Sequence, residues 1–268
     1  MKLPTRQAAA PTKEVLHTWN KWLGSLYAAQ AVLILLLGAS KLVPVSITYL
    51  TKDSLQSSQS KAVVLAPASH HLFDVNLVYL VVLFLVLPAV AHWLAATIYR
   101  QRYELGLSRG TNDIRWGSYA VSTGVIAMTL GLLTGMQDGV SLGLMLIAGV
   151  VVSLLGLAME RMNRGKRGPV NWASYIVGCI LGAAMWLALV VYLTANNVFG
   201  SAQIGGYVYW LVGLFLLSLA CSATIMHLQF KRVGPWKSYA YVERCYMLTS
   251  FVASTLFAWM IFAGALQP

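Results

Sequence analysis

Acidic side chains are nearly missing from this chain: 8 Asp and Glu stand beside 19 Lys and Arg in 268 residues. Charged residues of both signs make up only 10% of it, against about 25% in a soluble domain. Together with a mean hydropathy of +0.68, this excludes a soluble core and requires a chain that crosses lipid repeatedly. Cysteine is scarce as well. Cys179, Cys221 and Cys245 lie in or beside apolar runs, form no CxxC pair, and read as small buried hydrophobes. No disulfide framework follows from them, and no metal site is expected. No GxSxG is present, and no spacing sets a Ser/His/Asp arrangement, so an enzyme is not expected. No Asp, Glu, Lys or Arg falls in the middle of an apolar stretch, which argues against an ion pump or channel. The N-terminal segment lacks a cleavage pattern and reads as a short cytoplasmic tail.

What is there is apolar length, cut by charges. Seven spans are predicted, at about residues 22–40, 75–99, 116–137, 139–159, 171–193, 207–228 and 245–263. Residues 168–230 hold no charge at all. That is too long for one helix, and the stretch divides at TANNVFGSAQIGG, rich in Asn, Gly and Ser. The spans form one domain, residues 1–268, an all-α seven-transmembrane-helix bundle. Sixteen Lys and Arg then fall on one side: Lys2, Arg6, Lys13, Lys21, Arg100, Arg102, Arg109, Arg115, Arg161, Arg164, Lys166, Arg167, Lys231, Arg232, Lys237 and Arg244. Only Lys41, Lys52 and Lys61 fall on the other. The bias predicts a cytoplasmic N-terminus and an extracellular C-terminus, in a multi-pass cell-membrane protein. The net charge of +11 fits anionic lipid at the inner face better than nucleic acid, because the basic residues are split among short loops.

The longest outer connection contains VPVSITYLT, rich in β-branched residues, and a β-hairpin is predicted within residues 41–70. His70, His71 and Asp74 cluster where span two begins, read as an interfacial polar cap in preference to a metal site. Gly178 and Gly182 form a GxxxG on span five, a pattern that permits close helix approach and fits a lateral dimer interface.

Several stretches resemble heliorhodopsins, inverted seven-helix retinal proteins, over nearly the whole chain. The resemblance rests on PVSITYLT, HLFD ending at Asp74, RWGSY at Arg115–Tyr119, LTGMQD ending at Asp138, VGPWKSYAYVERCYMLTSFVAS ending at Ser254, and FAWMIFAGAL. It implies an N-inside topology and a homodimer. It also implies a retinal-binding lysine where this chain has Ser254, and a counterion glutamate where RWGSY has Ser118. A serine hydroxyl cannot form an imine. The two losses make joint sense, since a buried carboxylate without its cationic partner is costly. Gln30 and His92 fall on a family glutamine and histidine, Tyr27 stands where some members have histidine, and Asn76 replaces an arginine that follows the LFD motif.

Ser118 with Ser122, and Ser250 with Ser254, are each four apart and share a helix face. They are expected to line a small polar zone where the chromophore would attach, with close helix packing as the plainer alternative. The pocket candidates are Ser122, Ser250, His92, Gln30, Tyr27, Trp186, Phe251 and Met247. An apolar cavity is expected to survive between spans three, five, six and seven, with Gly124, Ala127, Ala183, Ala220 and Ala253 keeping space open. It would hold non-covalent retinal, lipid or another hydrophobic molecule. Arg115, Glu243 and Arg244 are expected to form a cytoplasmic network. The predicted function is a sensory, receptor-like or auxiliary membrane protein that does not bind retinal covalently, with a cytoplasmic signalling partner conceivable. Two alternatives stand beside it: a photoreceptor holding retinal non-covalently, and a small-molecule or lipid transporter.

Overall fold

The computed structural model describes residues 12–60, 62–165, 168–200 and 204–267. Lys2, Arg6, Lys61, Lys166 and Arg167, counted above for orientation, lie outside them. In chain order the elements are α1 (Lys13–Leu37), β1 (Leu42–Lys52), α2 (Ser54–Ser60), β2 (Leu65–Asn76), α3 (Leu77–Ala96), α4 (Arg100–Arg109), α5 (Asp113–Leu133), α6 (Gly139–Asn163), α7 (Ala173–Phe199), α8 (Gly206–Lys231) and α9 (Tyr239–Ile261). A 3-10 turn, Gly234–Lys237, precedes α9, and a π-turn, Phe262–Leu266, ends it.

Seven helices, α1, α3 and α5 to α9, are long and apolar enough to cross a membrane. The shortest, α3, has 20 residues, about 30 Å at 1.5 Å per residue. Much of their apolar surface points outward, including Leu36, Tyr79, Ile180 and Trp210. In water this would be prohibitive. In hydrocarbon it is the expected solvent-facing side.

Side-chain caps fix several helix starts. Thr12 accepts from Val15 N, Asn76 from Val78 N, Asn112 from Arg115 N and Asp138 from Ser141 N, each satisfying a donor that the first turn leaves unpaired. Two departures from the sequence reading have local causes. The Asn-rich segment read as a turn stays helical to Phe199, because Asn196 Nδ2 donates back to Tyr192 O at 3.0 Å and across to Thr134 O at 2.8 Å. The short helix α4, which the apolar pattern does not announce, closes on Gly110 in the left-handed conformation (φ 73°).

β1 and β2 pair antiparallel from Leu42↔Asn76 to Lys52↔Leu65, with an irregularity between Val45 and Ser46. The hairpin is longer than predicted, and it carries α2 at its tip. It is tied to the α5–α6 turn: Ser46 N donates to Gln137 O at 2.9 Å and Thr48 N to Asp138 Oδ1 at 3.4 Å. The hairpin and the α5–α6 turn therefore share one end of the bundle. The start of α1, α4 and the 3-10 turn share the other. α5 sits centrally, in contact with α3, α6, α7 and α8. Its crossing with α6 is close because Gly124 and Gly149 face each other; a Cβ on Gly149 would fall 2.6 Å from the Gly124 Cα.

Candidate functional site

At the α4 end, three helices bring charges together in the interior. Arg115 of α5 pairs with Glu160 of α6, Nη2 to Oε1 at 2.7 Å, and with Glu243 of α9 through Nη1. All three side chains are almost fully buried. The remaining acceptor positions are filled by neutral donors. Trp116 Nε1 donates to Glu160 at 2.7 Å, Tyr239 Oη at 3.0 Å, and the Asn112 backbone N–H at 3.2 Å. Asn112 Nδ2 donates to Glu243 at 2.6 Å. The guanidinium also lies over the Tyr246 ring at 4.1 Å and the Trp116 ring at 4.9 Å. Gly156 makes room for this arrangement: a Cβ there would collide with the Trp116 ring. Glu160, absent from the predicted network, is its best-connected acceptor. Arg244, which was expected in it, points elsewhere, over the Trp19 ring at 5.6 Å. The two neighbours on α9 face different sides of the helix.

Beyond this cluster a cavity of about 250 Å³ lies between α5, α6, α7 and α8, lined chiefly by apolar atoms. Tyr119, Thr123, Leu219 and Ser222 line both it and a smaller pocket of about 90 Å³ between α5, α8 and α9. Ser122, Ser250, Ser254, Ala253 and Phe257 line that second lobe. α7 and α8 pack more sparsely than any other pair of successive spanning helices, which leaves the larger lobe its width. Ala183 and Ala220 line it, as do Gly178 and Gly182. Those two glycines look toward Leu155 of α6 and Leu219 of α8. They open space inside the bundle, so their spacing on α7 is accounted for without a second copy of the chain. Gly124 and Ala127 are absent from both linings; Gly124 serves the α5–α6 crossing.

Ser118 lies apart from Ser254. It borders a pocket of about 20 Å³ with Asn20, His92, Arg115, Glu243 and Met247. It sits one turn from Ser122 along α5, and Tyr119 borders both spaces. His92 Nδ1 donates to Asn20 Oδ1 at 2.7 Å, and Tyr27 stacks on the His92 ring at 5.8 Å. Tyr27 also shares a 3.3 Å hydrogen bond with Ser250 and meets Phe251 edge-on. These residues join α1, α3 and α9. Gln30 joins α1 to α9 by accepting from Trp259 Nε1 at 3.1 Å, and Trp186 Nε1 donates to Val212 O at 3.2 Å. Gln30, Trp186 and Phe251 line neither lobe. Among the described residues, the buried hydroxyls of Ser118, Ser122 and Thr255 have no protein partner. Such groups call for water or a ligand atom. His71 Nε2 meets Asp74 Oδ1 at 3.1 Å on the hairpin surface, and no cluster of three metal-ligating side chains occurs among the described residues.

Seven apolar helices around a buried ion cluster and an apolar cavity define a polytopic seven-helix membrane protein. A search of solved structures supports that class: cyanorhodopsin N4075R, from the cyanobacterium Tolypothrix sp. NIES-4075, matches with a TM-score of 0.54. The match covers 93% of this chain and 94% of that one at 13% identity, a likeness of fold alone. The heliorhodopsin family model matches residues 16–266, and the chain belongs to that family. The family comprises photoreceptor and sensory proteins, not enzymes. No curated protein matches the sequence.

Proposed function

We propose that this heliorhodopsin-family protein works as a receptor-like or auxiliary membrane protein whose cavity takes a hydrophobic ligand without a covalent bond to it. The carrying observation is the position of Ser254. It lines the smaller lobe, on the helix where the family pattern places its lysine. A hydroxyl cannot form an imine, and among the described residues no lysine borders either lobe. The residues present therefore do not fit covalently held retinal. They do fit an apolar molecule with one polar end, its chain in the larger lobe and its polar atom near Ser122, Ser250 and Ser254. Whole-chain organisation as one seven-helix domain, with the basic end and N-terminus cytoplasmic, belongs to the same reading, supported by the sixteen-to-three bias in Lys and Arg. So does a homodimer, on family resemblance, and a cytoplasmic partner at the α4 end.

The test is colour. Protein expressed with all-trans-retinal gives no red-shifted band of a protonated Schiff base. A visible peak that hydroxylamine bleaches would sink the proposal. The apolar character of the larger lobe favours one second reading, retinal held non-covalently. Its signature is co-purified absorbance like that of free retinal, unaffected by hydroxylamine.

A further inference from the structure

A different face of α5 carries a second opening. Between α3, α4 and α5 runs a groove of about 500 Å³. Val90 and Leu94 of α3 form one wall, and Ile114 and Gly117 of α5 form the other. Arg102 and Tyr99 stand at its mouth, with the guanidinium over the tyrosine ring at 5.6 Å. The charges there are not balanced. Arg100 is engaged by Glu104 at 2.8 Å. Asp113, the acid beside the mouth, is engaged by Arg161 at 2.9 Å. Arg102 has no ion-pair partner among the described residues. An uncompensated cation thus tops an apolar channel at the polar end of two membrane helices.

We propose that this groove seats an anionic phospholipid, its phosphate on Arg102 and one acyl chain between α3 and α5. A phospholipid supplies both parts of that complement, whereas a soluble anion would leave the apolar walls uncovered. A cation near an anionic lipid surface is worth about fivefold in retention. The occupied groove would abut Asn112 and Ser118, which line its floor. Asn112 also holds Glu243, so a seated lipid would brace the start of α5 against the buried cluster.

Native mass spectrometry of the detergent-solubilised full chain, titrated with phosphatidylglycerol or with phosphatidylcholine of the same chains, tests this. One phosphatidylglycerol is expected to be retained about fivefold more tightly than phosphatidylcholine. Arg102→Ala should remove that preference and Arg102→Lys should keep it. Gly117→Leu should abolish retention by filling the groove, into which a Cβ there grows without meeting anything within 4 Å, and circular dichroism checks that the variant stays folded. Equal retention of the two lipids overturns the proposal. So does undiminished retention in Gly117→Leu, which would mean headgroup attraction with no seated chain.

Discussion

Arg115 answers to two carboxylates, Glu160 and Glu243, with the excess negative charge spread over Asn112, Trp116 and Tyr239. Burying three ionised groups is costly, and only complete pairing makes it tolerable. Removing the cation leaves two carboxylates facing each other out of contact with water. Arg115→Met should therefore cost about 3–5 kcal/mol, read as a lowered thermal midpoint in detergent. Glu160→Gln keeps the shape and most hydrogen bonds and should cost less. Equal losses from both would show that the cluster contributes shape and not charge. Half of this site was legible in the sequence. On sequence, Arg115 and Glu243 fall at span ends on the same side, which is what places them together. Glu160 reads from sequence only as the charge that ends span four. Only the helical rotation separates it from Arg161, putting Glu160 inside and Arg161 outside against Asp113. Ser118 was misplaced for a related reason. Four-residue spacing puts two serines on one face, but one turn is enough distance for Tyr119 to border separate spaces.

At the scale of elements, spans and hairpin followed from apolar length and β-branched runs, whereas α4 did not. Its sequence RQRYELGLSR has too few apolar residues to mark a span, and its contacts come from Tyr103 and Leu107 alone being buried. Helix ends were the least legible, since they depend on caps such as Asn196 reaching a neighbouring turn. Asp138 shows how such a cap binds two elements. It accepts from the Ser141 backbone and side chain, both at 2.9 Å, and from Thr48 of β1. The Ser141 backbone N–H, first among these donors, holds its carboxyl below the usual carboxylate range. Because the folded value is depressed, the contribution is full above the ordinary Asp value of about 3.9 and fades as pH falls below it. Asp138→Ala should cost about 0.5–2 kcal/mol as a lost cap and should speed amide exchange in β1 near Thr48. Acidification through that range should lower the protection of the same amides, after correction for intrinsic exchange, in the wild type and not in the variant. Identical acid responses in both would detach the effect from Asp138.

For the whole molecule, the question is whether a bundle of this family keeps space for a ligand beside Ser254, the position that the resemblance assigns to the retinal-binding lysine. Phe257, buried to 2% exposure, borders the smaller lobe, and the two neighbouring lobes measure about 250 and 90 Å³. Both lobes are partly open to their surroundings, so space beside Ser254 remains for a ligand, which makes a reconstruction informative. Ser254→Lys alone places an amine among Phe257, Ala253 and Leu219 with no carboxylate in the lobe. Desolvation then disfavours protonation of the imine that this amine forms with retinal, and only the protonated imine is red-shifted, so less of the pigment absorbs there. Ser118→Glu adds a longer acidic side chain from one turn along α5. That position already lies near Arg115 and Glu243, so the new carboxylate can turn toward the lysine or toward the guanidinium. With retinal, the double variant should give a visible, hydroxylamine-sensitive band, and Ser254→Lys alone a weaker one. Equal pigment from single and double variants would separate the two serines and refute their loss as a pair. Failure of both, in protein that remains folded by circular dichroism, would mean that the lobes no longer have retinal's shape. The cavity would then have been remodelled for another occupant, and a search with short-chain lipids would be the next measurement.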